Sequence, residues 1–206
     1  MRPPLPLLAL AVAIVTVPVI AQMPTTVPGA KDPSRVKAGT YAVDGAHTQV
    51  MFRVNHLGFN DYFGIFGDAK GTLTLDPAKP TAAKVEIQIP VSSIVTSNAE
   101  LTAHLQKPEF FDAPKFANAV FKSTSVVVNG TEAKISGDLT LKGVTKPVVL
   151  DARFSGAGLG PMNKKETLGF LARTSIKRSD FGISYGIPFV PDEVPLEISV
   201  AFEKTA

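Results

Sequence analysis

At 206 residues, 45% of them hydrophobic and 19% charged, the chain is long enough for one domain plus a targeting segment and too apolar for a disordered protein. Having no cysteine, it is excluded from disulfides, thiol catalysis and thiolate metal sites. A formal charge of +3 without a dense Lys/Arg block is not a nucleic-acid footprint.

Residues 1–21 read as a cleaved secretory signal. Arg2 is the positive start, Leu5 to Ile20 the apolar run, and Val19 and Ala21 the small-residue pattern before Gln22. The run is short for a spanning helix of about 20 residues, so the mature form is expected to carry no stable membrane anchor and a charge of +3 − 1 = +2. Gln22 to Ala38, rich in Pro, Thr and Lys, reads as a flexible N-terminal arm, and residues 39–206 as the folded domain.

From there apolar and polar residues alternate. Val50, Phe52 and Val54 share one face, as do Leu73 and Leu75, and then Val85, Ile87 and Ile89. Between Ser97 and Pro108 the period changes. Ser97-Asn98-Ala99-Glu100 has capping-box spacing, Leu101, His104 and Leu105 follow at helical spacing, and Pro108 ends the run. This predicts one short helix over about 98–107. Alternation then resumes in Ile135, Leu139 and Leu141, in Val148 to Phe154, in Phe170 to Ile176, and in Ile198, Val200 and Phe202. Asp76-Pro77 and Asn129-Gly130 mark turns.

Seven or eight such strands fit an antiparallel sandwich or a barrel. With 13 Phe and no Trp, the sequence favours a barrel whose apolar lining needs no polar partner. A plain Phe-packed core is the alternative. Enzyme-like strings lack their context. Gly182-Ile183-Ser184-Tyr185-Gly186 is followed by Pro188 and Pro191 rather than by a helix. Gly156, Gly158 and Gly160 have no P-loop Lys after them and read as a flexible hairpin loop. His47, His56 and His104 lack metal-ligand spacing, so no metal and no cofactor are expected. Phe59, Phe63 and Phe66, packed around Gly58 and Gly64, together with Phe110-Phe111 after the helix, suggest an apolar mouth.

These strings resemble the YceI family. The resemblance runs from about Tyr41 to Phe202 and rests on Asp44-Gly45-Ala46-His47, Asn55-His56-Leu57-Gly58, Asn98-Ala99-Glu100 with His104-Leu105, Phe110-Phe111-Asp112, Gly137-Asp138-Leu139-Thr140-Leu141-Lys142-Gly143, and Arg178-Ser179-Asp180-Phe181-Gly182. It implies an all-β fold, an extended antiparallel eight-stranded lipocalin-like β-barrel with one short helix, exported to the periplasm. It implies a binding protein, not an enzyme, that sequesters a polyisoprenoid or related long-chain amphiphile such as an isoprenoid quinone or a fatty amide. A homodimer is compatible with it. The family often has Arg-Asp where this chain has Leu101-Thr102, and Pro where it has Ala117, which points to a less polar head group.

The candidate channel residues are Phe52, Phe63, Phe66, Leu105, Phe110, Phe111, Phe121, Phe154, Phe170 and Phe202, with His56, Asn98 and His104 as head-group donors. Two other readings compete: a stress-related structural protein with a filled core and no ligand, and a hydrolase using the histidines.

Overall fold

The computed structural model describes residues 26–205, so the expected signal segment lies outside the described residues. The strands are β1 (Gly39–Val43), β2 (Gln49–His56), β3 (Asn60–Phe66), β4 (Lys70–Leu75), β5 (Lys84–Pro90), β6 (Val95–Thr96), β7 (Asn118–Asn129), β8 (Glu132–Leu141), β9 (Val144–Leu159), β10 (Glu166–Lys177) and β11 (Glu193–Lys204). One α-helix, α1 (Ala99–Leu105), lies between β6 and β7.

Eight strands close on themselves in the order β1-β4-β5-β7-β8-β9-β10-β11, with β1 returning to β11. All the neighbouring pairs are antiparallel, so the chain forms a closed eight-stranded antiparallel barrel with no free edge around the ring. Strand β11 is shared. Its C-terminal part pairs with β1 (Tyr41 opposite Lys204), and its N-terminal part with β2 (Ser199 opposite Gln49, Leu196 opposite Phe52). A 3-10 turn over Gly45–His47, N-capped by the Asp44 carboxylate accepting from the Ala46 N–H, carries the chain from one partner strand to the next. β2, β3 and β6 thus extend the barrel wall beyond the start of β11.

The period-2 runs face as the alternation requires. Ala152 and Phe154 are buried while Asp151 and Arg153 are exposed, and Phe202 is buried on β11 while Glu197 and Ser199 are exposed. One end of the barrel is closed by Tyr41, Leu73, Phe154, Ala157, Leu168 and Phe202, none more than 7% exposed. Phe154 packs on Phe170 (centroids 5.7 Å apart) and Phe170 on Phe202 (6.1 Å). The buried Tyr41 hydroxyl donates to the Lys37 carbonyl at 2.7 Å, and burial raises its pKa. The opposite end carries the β2–β3 tip, α1 with the segment after it, the β8–β9 hairpin and the 178–192 connection, around a second cluster of Leu141, Phe181 and Ile183.

Three local expectations are corrected. The helix is capped by Asn98, not Ser97: the Asn98 Oδ1 accepts from the Leu101 N–H at 2.9 Å, while the Ser97 hydroxyl is bonded to Tyr62 at 3.0 Å. Gly156 and Gly158 belong to β9 rather than to a loop, paired with Gly169 and Thr167. They are small because the preceding segment lies on them. A Cβ on Gly158 would stand 2.2 Å from the Pro28 carbonyl oxygen. For the same reason residues 30–37 are docked rather than free: Ala30 and Ala157 exchange backbone hydrogen bonds of 3.0 and 2.9 Å, and Lys37 pairs with Glu166.

Candidate ligand-binding site

Phe52 on β2 and Phe66 on β3 share the inward face, their ring centroids 5.7 Å apart. Phe66 meets Phe111, on the segment after α1, edge-on at 5.4 Å. These three half-buried rings join the barrel wall to the helix at the open end. Gly64 is what allows it: a Cβ there would stand 2.2 Å from the Phe52 Cζ, so the Phe52 ring occupies the space of a missing side chain. On β7, Phe121 lies in the same way against Gly137 of β8, where a Cβ would be 2.4 Å from the Phe121 Cζ.

A second aromatic group forms the rim. His104 lies edge-on to Phe110 at 5.0 Å and to Tyr185 at 5.5 Å, and Phe110 and Tyr185 are 5.2 Å apart. The His104 ring is held by Glu109 (Nε2 to Oε1, 2.8 Å). Glu109 titrates below its ordinary range, chiefly through a backbone N–H donated to its carboxylate and further through His104. Leu105, half-buried, sits one turn end away and its carbonyl accepts from the Phe111 N–H at 3.1 Å.

The 178–192 connection is fixed by Arg178, which is 7% exposed. Its guanidinium donates to the carbonyls of Tyr185 (2.8 Å), Val190 (2.8 Å), Pro191 (2.9 Å) and Ile183 (3.3 Å). Asp192 completes the clamp, accepting from the Ser179 hydroxyl at 2.6 Å and the Ser179 N–H at 2.8 Å, which hold its pKa down. Lys142, at the β8–β9 hairpin, donates to the Pro108 carbonyl at 2.7 Å and so ties the post-helix segment to the barrel.

The expected site residues therefore separate into groups. Phe52, Phe66 and Phe111 stack together; Phe110, His104 and Leu105 lie at the rim; and Phe121 faces inward on β7. Phe154 and Phe202 are 7% and 3% exposed in the cluster that closes the far end, with Phe170 packed on it, so they are floor rather than wall. Phe63 is corrected outright. Opposite Arg53 and 49% exposed, it points outward, as its three-residue separation from Phe66 requires on a strand of period two. His56 is exposed at the end of β2, and Asn98 is spent on capping. Tyr185 is the rim residue that sequence reasoning misses, its signal masked by the discounted G-x-S-x-G string.

Two concavities of about 830 and 510 Å³ lie elsewhere: one along β7 to β11, lined by charged Lys134, Asp151, Arg173 and Glu197 together with Ala172 and Ile198, the other between α1 and Asp112-Ala113-Pro114. None of the candidate residues lines either. Among the described residues no group of three or more His, Asp or Glu is placed to hold a metal ion, and no helix is long and apolar enough to cross a membrane.

The YceI-like domain model matches residues 41–202. The proteins named YceI of Salmonella arizonae and Salmonella enteritidis are each 44% identical over 165 residues, covering 79% of this chain and 86% of theirs. A Campylobacter jejuni YCEI protein of known structure is 32% identical, with a TM-score of 0.65 over 74% of this chain and 90% of that one. Burkholderia cenocepacia BcnA (24% identical, TM-score 0.69, 77% and 98% covered) and a polyisoprenoid binding domain from Saccharophagus degradans (14%, 0.58, 82% and 100%) share the fold. By its barrel, its motifs and these relatives, the chain belongs to the YceI-like family.

Proposed function

We propose that this protein is a periplasmic carrier that sequesters the hydrocarbon chain of a polyisoprenoid or related amphiphile in its barrel, entering at the open end past Phe111 and Phe66. The observation that carries this reading is the asymmetry of the barrel. One end is closed by the larger buried cluster around Tyr41, Leu168 and Phe202, while at the other, beside the smaller cluster of Leu141, Phe181 and Ile183, the rings of Phe52, Phe66 and Phe111 form a continuous apolar, half-buried path from rim to wall. Inward-pointing Leu139, Leu150, Ile176 and Ile198 are likewise half-buried. The Saccharophagus domain of the same fold is described as polyisoprenoid binding, and that chemistry matches an aromatic, uncharged path. The role is binding rather than catalysis.

Magnitudes favour a long chain. At about 0.3 kcal/mol per heavy atom, a tail of about twenty carbons gains roughly 6 kcal/mol. Low-micromolar affinity needs about 8 kcal/mol. A longer tail, or hydrogen bonds from a head group to His104 or the exposed His56, supplies the difference. Leu101-Thr102 adds no charge at the helix, and the Thr102 hydroxyl is taken by Thr96 at 2.9 Å, so the favoured head group is neutral.

Titration with a series of prenyl alcohols of increasing length tests this. Affinity should rise with each isoprene unit and then level off once the lumen is full. A flat series, or no binding at any length, contradicts the proposal.

A further inference from the structure

The exposed Phe and Tyr side chains among the described residues are all at the open end: Phe59 (84% exposed), Phe189 (73%), Tyr185 (57%) and Phe63 (49%). The placement follows from the register. Phe52 pairs with Leu196 near the start of β11, so the β2–β3 tip at residues 57–59 stands beyond that strand's beginning. Phe189 and Tyr185 sit on the 178–192 connection at the same end.

The tip is unusual in a second way. The Phe59 N–H donates to the His56 carbonyl at 2.9 Å, closing a two-residue turn with φ of 55° at Leu57 and 82° at Gly58. Positive φ at the first central position suits Asn, Asp or Gly, and is unfavourable for leucine. Leu57 gains little burial in return, being 47% exposed. The fold does not need an apolar side chain there. On the 178–192 connection, Arg178 donates to the Val190 carbonyl at 2.8 Å, next to Phe189, which is 73% exposed.

We propose that the open end docks on a lipid bilayer surface, with Leu57, Phe59 and Phe189 inserted among the head groups. This rests on the carrier reading, because an apolar chain avoids water only if the mouth meets the membrane that supplies or receives it. Aromatic side chains settle at that depth of a bilayer, and shallow apolar insertion gives reversible attachment. The charges near the mouth are mixed, with Lys107 and Lys115 beside exposed Glu100 and Glu109. Attachment therefore depends on insertion and changes little with salt.

The test is co-sedimentation with vesicles of phosphatidylethanolamine and a minor share of phosphatidylglycerol, comparing the wild type with a Leu57→Asn, Phe59→Ser, Phe189→Ser variant. Asn suits the left-handed position, so the variant keeps its fold, checked by its melting temperature. The wild type should sediment with vesicles at low and high salt, and the variant should partition at least about tenfold less while still taking up a prenyl alcohol from detergent. Because the chain has no Trp, Phe59→Trp adds a single reporter whose emission should shift to the blue on vesicles. Equal sedimentation of variant and wild type overturns the proposal. So does a wild type that takes up prenyl alcohol but ignores vesicles, which leaves the carrier reading standing. Vesicle binding without prenyl uptake refutes the carrier reading and keeps the docking. A self-association abolished in the variant, with no vesicle binding, assigns the surface to a second copy and overturns the proposal.

Discussion

Phe52 and Gly64 face each other across β2 and β3, and the Phe52 ring fills the space where a side chain on residue 64 would start, 2.2 Å from its Cζ. The glycine thus sets the position of the first ring in the path that continues through Phe66 to Phe111. Gly64→Ala should force the Phe52 ring off its rotamer. The expected cost is about 1–3 kcal/mol of overpacking, with weaker prenyl binding. Thermal denaturation and ligand titration of the variant check both.

Phe111 and Phe202 should behave differently on truncation. Phe202, 3% exposed in the closed end, should lose roughly 3–5 kcal/mol of stability as Phe202→Ala. Half-buried Phe111 should lose less stability as Phe111→Ala and more ligand affinity. Urea denaturation and prenyl alcohol titration of the two variants separate floor from path.

Arg178 should be among the costliest polar residues to remove. Its guanidinium satisfies four carbonyls of one connection, so Arg178→Ala leaves buried acceptors without donors. The expected loss is about 3 kcal/mol. Arg178→Lys keeps the charge but lacks the planar fork and should fall between the two. Chemical denaturation curves measure the order.

Acid should loosen the same connection. Asp192 has its pKa lowered in the folded protein by the Ser179 hydroxyl and then the Ser179 N–H. A depressed folded value means the carboxylate stabilises the fold above its unfolded pKa, and that this contribution is lost as pH falls through the lower folded value. Glu166, held down first by Lys37, and Glu203, held down first by Lys165, lower the stability of the opposite end in the same direction as pH falls. Melting temperatures recorded from neutral pH down through the carboxylate range should fall more steeply for the wild type than for Asp192→Asn, which starts lower at neutral pH.

Much of this architecture is legible in the sequence where burial is one-sided. β11, most of β10 and the first part of β9 alternate cleanly because one face is lumen and the other water; past Phe154 a register shift against Gly169 and Phe170 moves the inward position to Ala157. β7 is harder to read: Lys122-Ser123-Thr124-Ser125 interrupts its apolar face, and the register shifts between Ser123 and Ser125. The five-residue β1 and two-residue β6 are too short for a period. Closure itself rests on Tyr41 meeting Lys204, a pairing between chain ends with no local signal. The docking of Ala30 on β9 is carried by backbone groups and missing side chains, so composition describes it as an arm. Within the site, Phe52, Phe66 and Phe111 are recognisable by aromatic density, and Phe63 is set apart from Phe66 by parity alone. Tyr185 joins His104 and Phe110 only because Arg178 folds its loop back over the rim.

What the barrel holds when it leaves a cell decides most directly whether its lumen takes up a hydrocarbon chain. Native mass spectrometry of the protein purified from an exporting host without detergent should show the chain carrying an added mass that organic extraction releases as a prenyl lipid, and that Gly64→Ala diminishes. A bare chain mass from several hosts, together with no uptake of added prenyl alcohol, would mean that the lumen admits no hydrocarbon.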